Sequence, residues 1–266
     1  MTPTEAAGDA RRAIRPAPGR AVVSTLSVLV FVLAWELAPR VGLVDTALVS
    51  QPSRILLAGA AIVRAGEIWT HAAVSLQELA GGMALAVLIG VPAGLVVGVS
   101  RAVRRFVDPP LMALQAAPRL ALLPVLIVWL GIGMASKVAV VFIGAVLPIV
   151  VATAAGVREV EASLVQVARA FGARPSDVMR RVVLPATLPA IMMGVRLGAG
   201  RGILGVVVGE MYVSQEGIGH QIMQLGSSFR IDDLVFYTIL VSAFGLATTA
   251  ALRAVERRLR PWGEEV

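Results

Sequence analysis

The sequence predicts an all-α integral membrane protein of six transmembrane helices, and three observations carry that prediction. Of its 266 residues, 57% are hydrophobic and only 15% charged, where a soluble domain carries about 25% charge, and mean hydropathy is +0.82. Six apolar stretches recur, each near the ~20 residues that carry a helix across a hydrocarbon core. The arginines collect in alternate connections between those stretches, the charge asymmetry of a chain that crosses a bilayer repeatedly.

Residues 1–20 form a polar, proline-bearing tail ahead of the first span, 21–39. That apolar run is longer than a signal-peptide core and has no small-x-small site close behind it, so it is expected to be retained. The stretch 53–64 reads as an amphipathic helix along the interface, and the second span is 73–99. The third, 110–131, is interrupted by Pro118, Arg119 and Pro124 and is expected to bend. The fourth, 138–157, and the fifth, 187–211, flank a polar hairpin at about 159–186. The connection 214–233 is too long for a tight turn, and 220–225 reads as a short surface or re-entrant helix. The sixth span, 234–252, leads to a second tail, 259–266, so the membrane domain covers 21–258. Gly90, Gly94 and Gly98 in the second span, and Gly194, Gly198, Gly202, Gly205 and Gly209 in the fifth, permit close helix approach. The fifth span is therefore expected to be the buried central helix.

Orientation follows from the basic residues, of which all 24 but Lys137 are arginine. With the N-terminus inside, sixteen fall on the inner side: Arg11, Arg12, Arg15 and Arg20; Arg101, Arg104 and Arg105; Arg158, Arg169, Arg174, Arg180 and Arg181; Arg253, Arg257, Arg258 and Arg260. Five, Arg40, Arg54, Arg64, Lys137 and Arg230, fall outside, and Arg119, Arg196 and Arg201 lie within spans. Both termini and the hairpin are thus expected to be cytoplasmic. The asymmetry accounts for the net charge of +7 without nucleic acid. With no cysteine, disulfides and thiolate metal sites are excluded.

In the hairpin, Leu164, Val167, Ala168 and Phe171 recur at helical spacing, which predicts a short amphipathic helix over 162–171. Gly172 stops it, as a glycine past a last turn does. Pro175, Ser176 and Asp177 open a second helix with a proline, a capping serine and an acidic first turn. Val178, Met179, Val182 and Val183 give that helix an apolar side, and Leu184-Pro185 and Leu188-Pro189 launch the next span. A helix–glycine–helix element with an apolar stripe and a basic rim is a docking element.

Catalytic signatures are missing. His71 and His220 have no HExxH or paired-carboxylate neighbours and read as interfacial polar residues. A GxxxxGK[ST] phosphate loop is excluded because the one lysine lies in SKVAV, 136–140. The chain is therefore expected to be neither an enzyme nor a metal binder. Ionisable side chains at membrane depth are costly and mark pathways or partners. Arg119, Arg196, Arg201 and Glu210 are the candidates for a translocation pathway. Arg119 lies roughly 12 Å into its span, where it presents a cation to an anionic solute or pairs with carbonyls at the Pro118 break. Arg196 and Arg201 read equally as struts between helices, and Glu210 as an interface residue. A gradient-driven secondary transporter is the alternative to an ATP-driven one; it needs a mid-span carboxylate, and Glu78 and Glu210 read as lying near span ends.

The segment VARAFGARPSDVMRRVVLPATLPAI (167–191) resembles the cytoplasmic EAA loop of ABC-importer permeases, with its central glycine and terminal Leu-Pro. LALLPVLIVWLGIG (120–133), SKVAVVFIGAVLPIV (136–150) and GVRLGAGRGILGVVVGEM (194–211) are similar to the nitrate/sulfonate/taurine branch, and the likeness covers about 52–255. It implies the type I importer permease fold, with a coupling hairpin whose ATPase-facing residues are Gln166, Ala168, Arg169, Phe171, Gly172, Ala173, Ser176, Met179, Leu184 and Pro185. It also implies a homodimer in the inner membrane, with lipid around it and two ATPase subunits beneath. A periplasmic or lipid-anchored substrate-binding protein delivers a small sulfonate-, nitrate- or taurine-like anion. No cofactor belongs to this chain; ATP and magnesium are held by the ATPase. Two departures stand out. Gln166 occupies the position where the loop usually carries glutamate, and Pro118-Arg119 stands where the family commonly shows a proline pair.

Overall fold

The computed structural model describes residues 18–46 and 48–259. The tails expected at 1–20 and 259–266 lie outside these, apart from residues 18–20 and 259, which are helical. In chain order the helices are α1 (Pro18–Arg40), α2 (Pro52–Ala65), α3 (Glu67–Val99) and α4 (Arg101–Ala116). A 3-10 turn (Arg119–Leu122) then leads into α5 (Leu123–Leu130), α6 (Met134–Glu159) and α7 (Ala162–Ala170). Last come α8 (Pro175–Val213), α9 (Ile218–Ser227) and α10 (Ile231–Leu259). Among the described residues five helices are long and apolar enough to cross a membrane: α1, α3, α6, α8 and α10.

The third span breaks and bends at Pro118 as expected, but its bounds differ from 110–131: it is a pair of helices, Arg101–Ala116 and Arg119–Leu130, that are apolar enough to cross only together, as a sixth span. Residues 110–116 belong to α4, which begins at Arg101, and α4 meets the segment Arg119–Leu130 at 89°. The cause is local. Ala117 precedes a proline and is held extended (φ −65°, ψ 139°), because the proline ring disfavours helical geometry one residue earlier. At its other end α4 is capped by Ser100, whose Oγ accepts from the Val103 N–H at 3.3 Å.

The central helix is α6, not the fifth span. In their most apolar windows 56% of α6 is buried against 33% of α8. Glycines make grooves, and the helix that fills a groove is the one surrounded. Val141, Ala145, Ile149 and Thr153 of α6 are 0% exposed. A Cβ on Gly94 of α3 would lie 2.6 Å from Thr153 Cβ and 2.8 Å from the Val150 carbonyl oxygen. On the other side, a Cβ on Gly198 of α8 would lie 3.0 Å from the Ala145 carbonyl oxygen. Backbones so close gain dispersion contacts that lipid cannot supply.

The remaining helices wrap this trio. Ile68, Ile218, Leu225 and Tyr237 form a cluster joining α3, α9 and α10. The first span, α1, is almost bare and is tied down at one end, where the Trp35 indole N–H donates to the Ser50 carbonyl at 2.8 Å and Ser53 donates to Glu36.

The glycine contacts predict an asymmetry. Gly94→Val should cost about 1–3 kcal/mol through overpacking, read as a lower thermal unfolding midpoint in detergent. Gly200→Ala, with nothing within 4 Å of the added methyl, should cost nothing.

Candidate functional site

Three places hold the polar and titratable side chains, and the first is the hairpin between α6 and α8. Helix α7 ends in a Schellman arrangement. The Gly172 N–H donates to Arg169 O at 2.9 Å and the Ala173 N–H to Ala168 O at 3.0 Å, closing carbonyls that would otherwise lack partners. Gly172 sits at φ +78°, which a residue with a Cβ reaches only with strain. Helix α8 then starts at Pro175, but Ser176 is not its cap. Arg174 holds the N-cap position, and its N–H donates to the Asp177 carboxylate at 3.3 Å. Pro185 has no N–H to return to the preceding turn, and a π-helical turn at Met179–Val183 precedes it.

The hairpin's apolar stripe has two fates. Val178 and Val183 are buried, whereas Leu164, Val167 and Phe171 are exposed, Phe171 at 88%. Gln166, Arg169, Gly172, Ser176, Leu184 and Pro185 are also exposed, and Ala168, Ala173 and Met179 half-buried. Ala168, Phe171, Gly172, Ala173, Asp177, Arg181 and Val182 line a cleft of about 290 Å³.

The second place is an open cleft of about 420 Å³ beside the halves of α6 and α8 nearer α9, walled by the Pro118 break, Val140, Gly144, Leu204 and Gly205, with Arg201 and Leu204 exposed. Arg119 and Arg201 both line it. Arg119 donates from Nη2 to the Gln115 carbonyl at 3.2 Å, while its Nε is buried without a hydrogen-bond partner. Arg196 lies elsewhere, paired with Glu256 of α10 at 3.1 Å.

The third place is a buried ionic cluster at the opposite end of the bundle from the hairpin. Glu78, the twelfth residue of α3, is fully buried and paired with Lys137, which stands in the first turn of α6, so it lies near that end of the bundle as expected. Lys137, read from the sequence as part of a connection, is buried in the first turns of α6 and also donates to Ser214 Oγ at 2.9 Å. Glu210 is fully buried and apart from the arginine cleft. Its carboxylate accepts from Ser75 Oγ at 2.6 Å and from the Gly219 N–H at 2.7 Å. An anion thus sits at the N-terminus of α9, where unpaired N–H groups favour it. The Gly217 N–H donates to His71 Nδ1 at 3.1 Å and the Ile218 N–H to Ser75 Oγ at 3.0 Å. Gly217, at φ +115°, leaves no space for a Cβ because the Glu210 carboxylate fills it. Helix α9 is therefore docked onto the bundle, not loose on its surface. Sequence reasoning named Glu78, Lys137, Glu210 and His71 but neither Ser75 nor Ser214, and not their association; the one signal was that the lone lysine and the α3 glutamate are opposite charges on an apolar background. Among the described residues, no group of three or more His, Asp or Glu side chains is placed to hold a metal ion.

Residues 86–261 match the family described as binding-protein-dependent transport system inner membrane component. The chain is 31% identical to a putative aliphatic sulfonates transport permease protein, SsuC, of Bacillus subtilis (strain 168), over 98% of each chain. It is 30% identical to the taurine transport system permease protein TauC of Escherichia coli (strain K12), covering 92% of this chain and 90% of that one. Its fold is similar to a chain of the MetNI methionine ABC transporter, in a structure described as inward facing. That match has a TM-score of 0.62 at 19% identity, covering 72% of this chain and 97% of the other.

The ionic cluster yields a double-mutant prediction. Lys137→Met leaves Glu78 buried without its counter-charge and should destabilise by about 3–5 kcal/mol, while Glu78→Leu combined with Lys137→Met should recover most of that loss. Thermal unfolding in detergent measures both. Glu210→Gln should raise amide exchange at Gly217 and Gly219 while exchange in α6 stays unchanged.

Proposed function

The chain belongs to the binding-protein-dependent transport system inner membrane component family and is a permease subunit of an ABC importer, and from that premise we propose that it imports a small organic sulfonate by coupling its hairpin to a separate ATPase. The observation that carries the proposal is the bare apolar stripe on a rigid turn. Leu164, Val167 and Phe171 are uncovered on α7, and a large exposed apolar patch marks an interaction surface. The Schellman closure at Gly172 and the capped start of α8 make the hairpin one stiff piece continuous with a 39-residue helix.

The steps follow from stiffness. ATP and magnesium bind the partner subunit, which carries out the hydrolysis. Its motion pushes on Phe171, Gly172, Ala173 and the cleft beside Asp177 and Arg181. Because α8 is locked to α6 by glycine-lined contacts, the push moves packed helices as rigid bodies. Arginine asymmetry supports a cytoplasmic hairpin and cytoplasmic termini, with the α9 end facing the external binding protein. A second copy of the chain completes the pathway in the inner membrane. Gln166 meets the ATPase with a neutral amide. The relatives named for aliphatic sulfonates and taurine support a sulfonate as solute. A gradient-driven mechanism has no such support: Glu78 is matched by Lys137, and Glu210 caps α9.

Two variants test the coupling in reconstituted transporter. Phe171→Asp should weaken association with the ATPase by about tenfold, measured by copurification. Gly172→Val forces a β-branched residue into left-handed backbone at roughly 1–2 kcal/mol; it should keep the ATPase bound while uptake per ATP falls. Undiminished uptake in both variants would contradict the hairpin's role.

A further inference from the structure

Arg119 and Arg201 line the same cleft, Arg119 from the 3-10 turn after the Pro118 break and Arg201 from α8. Among the described residues neither guanidinium has a carboxylate partner, while Arg196 on the same helix does. Arg119 keeps one buried donor, Nε, unsatisfied. Isolated cations at this depth are costly, and in membrane proteins they face water-filled cavities or solute paths. The walls beside them are small or apolar: Val140, Leu204, Gly144 and Gly205. Close approach of α6 and α8 creates this shape, since a Cβ on Gly144 would stand 3.4 Å from the Arg201 backbone oxygen. A volume of about 420 Å³ falls within the range of small-molecule sites.

We propose that this cleft is an oxyanion subsite inside the permease, taking the head of a small organic sulfonate between Arg119 and Arg201 while its short apolar body lies against Val140 and Leu204. Guanidinium groups present planar forks of N–H donors that match an oxyanion's spaced oxygens. A sulfonate is a monoanion whose negative charge is spread over three oxygens. A phosphonate that has lost its second proton, as it does at alkaline pH, is a dianion whose desolvation penalty rises with the square of its charge, so that form is disfavoured at the same depth. The subsite adds a selectivity step to that of the external binding protein. It rests on the reading that solute passes through this chain.

The test uses the permease–ATPase complex in nanodiscs with the binding protein left out, and tritiated ethanesulfonate as probe. Ethyl methyl sulfone, nearly the same shape but uncharged, and ethylphosphonate, at an alkaline pH where it is a dianion, serve as competitors. Ethanesulfonate should bind saturably, with the sulfone and the phosphonate each at least about tenfold weaker. Arg119→Gln and Arg201→Gln should each weaken binding by at least about tenfold, and Arg119→Lys should restore part of it, which a merely structural role for Arg119 would not produce. Equal competition by the sulfone, absence of saturable binding, or unchanged binding in both glutamine variants overturns the subsite while leaving the importer reading intact. Failure of the chain to copurify with the ATPase overturns the importer reading, and the subsite with it.

Discussion

Along α6, Val141, Ala145, Ile149 and Thr153 enter grooves where α3 and α8 carry glycine, and the rest of the molecule depends on that approach. A bilayer gives no hydrophobic reward for bringing two apolar helices together, so the contact must be won by fit. Here the fit is close enough that a single methyl at Gly94 would strike backbone. The outcome is a three-helix unit that moves as one piece. The hairpin grows from one end of it, through the end of α6 and the start of α8. The docked helix α9 sits at the other end, held by Glu210, Ser75 and His71. A mechanical link between two faces of a membrane needs a stiff centre with specific attachments at both ends, and these are its parts.

The two ends are attached by different physics. At the hairpin the stiffness is in the backbone: a Schellman closure at Gly172, a proline start at Pro175 and a π-helical turn before Pro185. At α9 it comes from buried charge. Lys137 and Glu78 offset each other, and Glu210 is satisfied by a hydroxyl and a helix N-terminus. A buried ion pair adds little net stability over an apolar pair of the same shape. Its contribution here is geometric, fixing where α3, α6 and α8 sit relative to α9. Between these ends the two arginines of the cleft stand apart, neither of them paired with a carboxylate among the described residues.

Much of this was legible in the residues. Hydropathy and arginine placement marked the spans, and the Gly172 hairpin could be read almost residue by residue, because helix stops and proline starts are local signals. What could not be read was non-local. The glycines of the fifth span suggested a central helix, but a groove identifies the receiver and not the helix that fills it, so α6 was missed. Pro118 announced a break without its 89° angle, which depends on how α5 packs against α6. The Glu78–Lys137 pair joins residues 59 positions apart and leaves no periodic trace. Ser176 was expected as a cap from its type alone, yet Arg174 stands at the cap position because Asp177 reaches back to its N–H.

The central claim is that force enters through the tip of the hairpin, and the absence of native cysteine permits a direct measurement. A single cysteine placed at Phe171 in the assembled transporter should form a disulfide with a cysteine-bearing ATPase subunit, at a rate that changes when ATP is added, and should resist a membrane-impermeant thiol reagent applied from outside. A cysteine at 171 that the external reagent labels freely, and that forms no crosslink to the ATPase with or without ATP, would contradict the account.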